Sequence, residues 1–221
     1  MNRYDWVILD FDGTLADSAP WFKGVVNTLA ERFSFSKVDE DEYERLRGED
    51  SLTILRAVGV PIWKIPRISR YVHRLVAKQA DQILLFDGVD ALLRNLSERG
   101  VTIAMVSSNT KANVKRILGD ENSARFTYFG CGASVFGKAT KFRRALRALK
   151  ADPARTIAIG DEERDISAAR EAGIAAGSVS WGYATPSILK AGAPDHFFET
   201  IGEIAELVAP AEANEVGEGE E

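Results

Sequence analysis

Trp6-Val7-Ile8-Leu9-Asp10-Phe11-Asp12-Gly13-Thr14 passes in one step from a continuous apolar run to two acids and a turn. Such a run predicts a strand buried on both faces, and the strand hands over its polar residues at its carboxyl end. Asp10 and Asp12, two apart in extended chain, point to the same side. Alone, the pair is also what a polar loop turning at Asp12-Gly13 would show.

Further along, residues 101–106, 156–159 and 174–179 are strand candidates, each preceded by a helical pattern. A helix over 90–99 stops at Gly100, one over 141–150 precedes Asp152-Pro153, and one over 163–172 stops at Gly173. This alternation predicts an α/β fold with a parallel sheet and helices on both faces. Residues 17–85 break the rhythm: amphipathic patterns such as Phe22, Val25, Val26, Leu29 and Phe33 recur there, with no good strand. They predict a small all-helical domain inserted after the first strand, with Asp87-Gly88 marking the return to the sheet and both connections placed as a hinge. The expected organisation is a core of residues 1–16 and 86–209, a helical insertion of residues 17–85, and a tail of residues 210–221.

Composition removes several classes of function. Of 221 residues, 45% are hydrophobic and 28% charged, as in ordinary soluble domains. No apolar run approaches the roughly 18 residues of a membrane span, and no secretory segment follows Arg3, so the expectation is a cytoplasmic chain starting near Met1. Cys131 cannot form an internal disulfide, and with only His73 and His196 beside it the soft ligands are too few for a zinc cage. Any metal must be held by carboxylates. The net charge of −5 resides in Ala211–Glu221, which has five glutamates and no base and is expected to be solvated. The rest is balanced, and neither a nucleic-acid nor a membrane partner is expected.

In an open parallel sheet, ligands bind outside the carboxyl ends of the strands. Besides Asp10 and Asp12, the chain places there Ser107-Ser108-Asn109 after Val106, Lys138 ahead of the helix starting near Lys141, and Gly160-Asp161-Glu162-Glu163-Arg164-Asp165 after Ile159. Asp10 and Asp161 supply hard anionic oxygens that suit Mg²⁺. Ser107, neighbouring backbone N–H groups and the Lys138 ammonium supply donors for a phosphoryl group. Asp10 is then a candidate nucleophile that forms an aspartyl-phosphate, and Asp12 a general acid and base.

The ordered set DFDGTLADS over 10–18, a hydrophobic-Ser strand end, a lysine and GDEERD over 160–165 resembles the haloacid dehalogenase superfamily, in its phosphoglycolate-phosphatase-like branch. The resemblance spans about residues 4 to 208. It implies a Rossmann-like core with a helical cap, and a Mg²⁺-dependent phosphatase acting on a small phosphorylated metabolite, with 2-phosphoglycolate favoured. It also implies a nucleophile at Asp10, an acid/base at Asp12 whose backbone carbonyl binds Mg²⁺, and a phosphate contact at Ser107, with Ser108 and Asn109 beside it. The charge-balancing lysine falls at Lys138, with Lys141 as the alternative, a metal ligand at Asp161 and a supporting carboxylate at Asp165. The proline frequent after that lysine is replaced by Ala139.

The insertion would close over the leaving group, exclude water and choose the substrate. Arg47-Gly48 resembles a loop that meets substrate in relatives; the plain alternative is a solvated arginine beside a turn glycine. Trp21 and Phe22 near the first connection read as core of the insertion. Arg67, Arg70, Arg74 and Lys78 form a basic stripe opposite Ile68, Tyr71, Val72 and Leu75, either a solvated face or a field for an anionic substrate or polyanionic partner.

Other readings are weaker. Gly132–Lys138 has P-loop spacing, but Ala139 lacks the hydroxyl that would hold Mg²⁺. A sugar phosphomutase is disfavoured by Phe22, where that branch has a histidine. A phosphonatase would need a lysine such as Lys23 or Lys64 for a Schiff base. A non-catalytic phosphate-binding scaffold would have lost a motif acid, and none is missing. Oligomeric state is open.

Overall fold

The computed structural model describes residues 4–47, 49, 51–132 and 137–208. Gly48 and the tail from residue 210 lie outside the described residues. Strands β1 (Trp6–Leu9), β4 (Thr102–Val106), β5 (Phe126–Gly130), β6 (Thr156–Gly160), β7 (Ala175–Val179) and β8 (His196–Phe198) form one sheet in the order β5-β4-β1-β6-β7-β8. Every neighbouring pair is parallel. From β1 the chain builds outward to β4 and β5 on one side and to β6, β7 and β8 on the other. The strand order therefore reverses at β1, which opens a crevice at its carboxyl end.

The helices are α1 (Ala19–Phe33), α2 (Glu40–Leu46), α3 (Ser51–Ala57), α4 (Ile65–Lys78), α5 (Val89–Glu98), α6 (Lys111–Ala124), α7 (Lys138–Leu149), α8 (Glu163–Ala172), α9 (Pro186–Ala191) and α10 (Ile201–Val208). Among the described residues, none is long and apolar enough to cross a membrane. Alternation along the strands explains the layering. Val7, Leu9, Ile103, Met105, Ile157 and Ile159 face one apolar layer with Leu93 and Leu96 of α5, Leu118 of α6 and Ile204 of α10. Ile8, Ala104, Val106 and Ala158 face the other, against Phe142 and Ala145 of α7, Ile166 of α8 and Leu189 of α9. Both faces are covered, so the unbroken apolar run at 6–9 has no wet side to expose.

The inserted helices carry a small core of their own. Val38, Leu46, Val58 and Val60 are buried together, with Val26, Tyr43, Ile54 and Ile68 packed on them. Trp21 is buried in the larger layer and donates from Nε1 to Gln79 Oε1 at 3.0 Å. The four cations of the α4 stripe are exposed. Arg70 and Arg74 each turn Nε onto the carbonyl four residues back in their own helix.

Two expectations need correction, and one strand has no counterpart in the sequence reading. Residues 17–85 are not strand-free at their margins: β2 (Ala16–Asp17) and β3 (Leu84–Leu85) pair antiparallel, so the two connections are hydrogen-bonded to each other. Strand β5, Phe-Thr-Tyr-Phe-Gly, had no sequence prediction; it lies at the sheet edge, where only Phe126 of the five is fully buried. The helix expected to begin near Lys141 begins three residues earlier, at Lys138, because Gly137, at φ 109°, supplies the left-handed turn directly before it.

Candidate active site

Parallel register brings the candidate residues together. Leu9 is partnered by Met105 on β4 and by Ile159 on β6, so the residues that follow these three strands emerge side by side. The Asp10 N–H still donates to the Ile159 carbonyl at 2.9 Å, which holds Asp10 against β6 as the chain leaves the sheet.

Asp10 is buried, and its Oδ1 accepts from the Phe11 N–H at 2.7 Å while Oδ2 is paired with the Lys138 ammonium. Lys138 is shared with the buried carboxylate of Asp165. Asp165 also closes the start of α8, where its Oδ2 accepts from the Glu162 N–H at 3.1 Å. Asp161 is fully buried and held from two sides: Thr14 Oγ1 donates to its Oδ1 at 3.0 Å and the Tyr183 N–H donates to its Oδ2 at 2.8 Å. One carboxylate oxygen from each of Asp10, Asp161 and Asp165 lies within 4.8 Å of the other two.

The Asp12 side chain points elsewhere, accepting from Asn109 Nδ2 at 3.1 Å. Asn109 is fixed in turn: its Oδ1 accepts from Asn113 Nδ2 at 3.1 Å and its own N–H donates to Ser107 Oγ at 3.0 Å. Ser107 is buried and Ser108 exposed. Lys141 does not reach Asp10. Its ammonium donates to the Ser107 carbonyl at 2.7 Å and to that of Gly132, bracing the loop after β4. A small cleft is lined by Asp10, Val106, Ser107, Ser108, Lys138, Lys141 and Arg164.

The electrostatics follow from burial. Desolvation pushes the Asp161 carboxyl well above its ordinary range, and the charges of Glu162, Asp10 and Asp165 add to the shift. Burial also raises Asp10, against the pull of Lys138. For Lys138, burial opposes the charge, but Asp10 and Asp165 more than offset it and hold the ammonium protonated. Desolvation and the neighbouring Asp10 charge lift Asp12 to about 6. Cys131, under the loop, is pushed by burial to about 11, far from a nucleophilic thiolate.

Three carboxylates this close and this buried destabilise one another's ionised forms, and a hard divalent cation removes that repulsion. Their donor set is all oxygen, which suits Mg²⁺ and not a thiolate-seeking metal. The residues therefore fit the cation that the sequence implies, with Asp10 and Asp161 as the acids able to hold it. Asp165 has one oxygen committed to Lys138 and the other to the Glu162 amide.

Two glycines make this approach possible. A Cβ on Gly13, which sits at φ +77°, would run into the Asp161 carboxylate and the Tyr183 ring. A Cβ on Gly182 would lie 2.6 Å from Asp161 Cγ. Sequence reasoning passed over Thr14, Ser18, Gly182, Tyr183 and Arg164 as site residues. Tyr183 is half-buried, its hydroxyl 2.9 Å from Ser18 Oγ, and Ser18 in turn hydrogen-bonds Asp12. The available signal was Ser180-Trp181-Gly182-Tyr183 directly after β7, at the carboxyl edge where ligands bind.

Arg47, from the inserted segment, is the C-cap residue of α2. Its Nε donates to the Tyr183 carbonyl at 3.0 Å and Nη2 to the Gly182 carbonyl at 3.2 Å. Its Nη1 donates to Glu44 Oε2 at 3.1 Å. All three nitrogens are thus engaged within the protein.

The profile of the haloacid dehalogenase-like hydrolases matches residues 7–179. A phosphoglycolate phosphatase of Synechococcus elongatus is 34% identical over 207 residues, covering 91% of this chain and 96% of its own. A phosphoglycolate phosphatase of Caulobacter vibrioides is 28% identical over 199 residues, with 85% and 84% covered. Among solved structures, a haloacid dehalogenase-like family protein from Streptococcus pneumoniae superposes with a TM-score of 0.76 at 22% identity, over 93% of this chain and 99% of that one.

Proposed function

The chain belongs to the haloacid dehalogenase-like hydrolases, and on that premise we propose that it is a Mg²⁺-dependent phosphatase that hydrolyses a small phosphomonoester through an aspartyl-phosphate on Asp10. The observation that carries this reading is the cluster of Asp10, Asp161 and Asp165 oxygens within 4.8 Å of one another, with Lys138 beside it. Mg²⁺ held by Asp10, Asp161 and the Asp12 main-chain carbonyl would neutralise phosphoryl charge. Lys138 and the Ser107 hydroxyl bind the phosphoryl oxygens, with Ser108 and Asn109 at the same loop.

In the first half-reaction an Asp10 oxygen forms a bond to phosphorus as the bond to the leaving oxygen breaks, and Asp12 gives that oxygen its proton. Burial keeps the Asp12 proton in place up to a pH of about 6, well above an ordinary aspartate. In the second half-reaction, Asp12 takes a proton from water as that water attacks phosphorus. Asp10 is released as carboxylate and inorganic phosphate leaves. Asn109 aims Asp12 in both steps.

The helices of residues 17–85 serve as a cap that shelters the reaction from water and selects the leaving group. The lysines a phosphonatase would use are committed elsewhere: Lys23 is paired with Glu40, and Lys64 donates to the Phe33 carbonyl at 2.8 Å. Phe22 packs edge-on against the Tyr183 ring, with centroids 6.4 Å apart, and offers no proton to a mutase. 2-Phosphoglycolate is the favoured substrate, because the relative from Synechococcus is a phosphoglycolate phosphatase. The test is phosphate release from p-nitrophenyl phosphate and from a panel of phosphorylated metabolites, with and without Mg²⁺, by the wild type and Asp10→Asn. The reading requires Mg²⁺-dependent turnover that Asp10→Asn abolishes, with 2-phosphoglycolate among the best substrates. Turnover that survives in Asp10→Asn would sink it.

A further inference from the structure

We propose that Arg47 is a positioning residue for Asp161, acting from the inserted helices through the peptide bond between Gly182 and Tyr183. The proposal rests on the reading of Asp161 as a metal carboxylate.

The Gly182 carbonyl accepts from Arg47 Nη2 at 3.2 Å, and the Tyr183 N–H donates to Asp161 Oδ2 at 2.8 Å. These two groups belong to one planar peptide unit, which is trans, since no cis bond occurs among the described residues. In a trans unit, C=O and N–H point in opposite directions. The guanidinium and the carboxylate therefore stand at opposite ends of a single rigid dipole, with the cation at its negative end and the anion at its positive end. A charge at the carbonyl end polarises the unit and strengthens the bond at the N–H end.

The arrangement is fixed at three further points. Arg47 Nε takes the Tyr183 carbonyl at 3.0 Å, so the guanidinium spans two successive carbonyls and sets the orientation of the peptide plane between them. The Thr185 N–H returns a bond to the Arg47 carbonyl at 3.2 Å. The Tyr183 side chain is anchored on Ser18 at 2.9 Å, so the loop cannot follow Arg47 outward without releasing that contact.

Asp161 lies at the end of β6 and Arg47 at the end of α2, on the other side of the paired connections β2 and β3. Seating the helices over the cleft thus completes the support of one Asp161 oxygen. Arg47 has each of its three nitrogens turned onto a protein acceptor, Nη1 onto Glu44 Oε2 and the other two onto the Tyr183 and Gly182 carbonyls. Its effect belongs to metal affinity, in contrast to the substrate-meeting role that the resemblance implies for the Arg47-Gly48 loop.

The experiment is calorimetric titration of Mg²⁺ into the full-length, substrate-free protein, with Asp161→Asn, Arg47→Gln and Arg47→Lys compared with wild type. Asp161→Asn is expected to lose nearly all Mg²⁺ binding; if it binds normally, the metal-site reading itself fails. With that control in place, Arg47→Gln is expected to weaken Mg²⁺ binding about tenfold, and Arg47→Lys, whose single nitrogen lacks the planar fork that fixes the peptide plane, about threefold. Wild-type Mg²⁺ affinity in a folded Arg47→Gln would overturn the proposal, and so would a rise in KM with Mg²⁺ affinity unmoved. Should Arg47→Gln fail to fold, Arg47→Lys decides alone, and unchanged affinity there overturns the proposal equally.

Discussion

The Thr14 hydroxyl donates to Oδ1 of Asp161 at 3.0 Å across 147 residues of chain, tying the turn after β1 to the end of β6. Removing the donor leaves a buried carboxylate oxygen with one fewer partner. Thr14→Val is expected to lower kcat/KM about tenfold and to raise the Mg²⁺ concentration needed for half-activity, with Thr14→Ser close to wild type. The buried charged hydrogen bond is worth about 1.5 to 3 kcal/mol, so melting should register it as well. Equal Mg²⁺ requirements in Thr14→Val and wild type would show that the contact is incidental.

Lys138 and Lys141 are separated by one helical turn and do different jobs. Lys138→Ala strips the counter-charge from two buried acids, a change that costs about 3 to 5 kcal/mol when one partner of a buried pair is lost. Activity should fall at least a hundredfold. Lys141→Ala frees only the carbonyls of Ser107 and Gly132, and should raise KM severalfold with a smaller loss of kcat. Steady-state kinetics on both variants checks the assignment, and the reverse ranking would transfer the phosphate role to Lys141.

Gly182→Ala places a methyl where the Asp161 side chain now lies, in a site already held by Thr14 and Tyr183. The expected result is a folded protein with Mg²⁺ affinity weakened more than tenfold. Mg²⁺ titration monitored by protein fluorescence or calorimetry measures it. Unchanged affinity would mean that the loop yields without moving the carboxylate.

Asp12 carries a prediction about pH. Its folded pKa, about 6, is raised from 3.8, so between these values the native state holds more protons than the unfolded state. Stability contributed by this group is therefore lost as pH rises from about 4 through 6, and above that the buried anion costs about 3 kcal/mol at 1.36 kcal/mol per pKa unit. Raised Asp10 and Asp161 act in the same direction. In EDTA, Asp12→Asn should melt several degrees higher than wild type at pH 8, and the gain should shrink toward pH 4. A variant no more stable than wild type at pH 8 would contradict the desolvated environment assigned to Asp12.

Sequence was most informative where one force dominated. The strand Trp6–Leu9 and the helix Glu163–Ala172 appear at the limits read for them, because an uninterrupted apolar run and a helix closed by Gly173 leave few alternatives. Periodicity could not reveal β2 and β3, which are two residues each and exist only through their pairing. The acids of the site follow strands and could be located by topology. Tyr183 and Gly182 act largely through main-chain atoms and through the absence of a side chain, neither of which leaves a chemical signature in sequence. Arg47 was noticed, but not its partners, because its acceptors are carbonyls 135 and 136 positions away.

The ribbon of Ala16–Asp17 with Leu84–Leu85 makes the two ends of the helical segment cross-strand neighbours, with α-carbons about 5 Å apart. Whatever lies between such ends is a cassette. Its length can vary without moving a strand of the main sheet, but Trp21, Val76 and Ile83 of the segment are buried in the sheet's own core and would have to be replaced in kind. A graft at residues 17 and 84 would therefore have to carry over Arg47, which reaches the Gly182 and Tyr183 carbonyls beside Asp161, as well as the apolar residues that enter the main core.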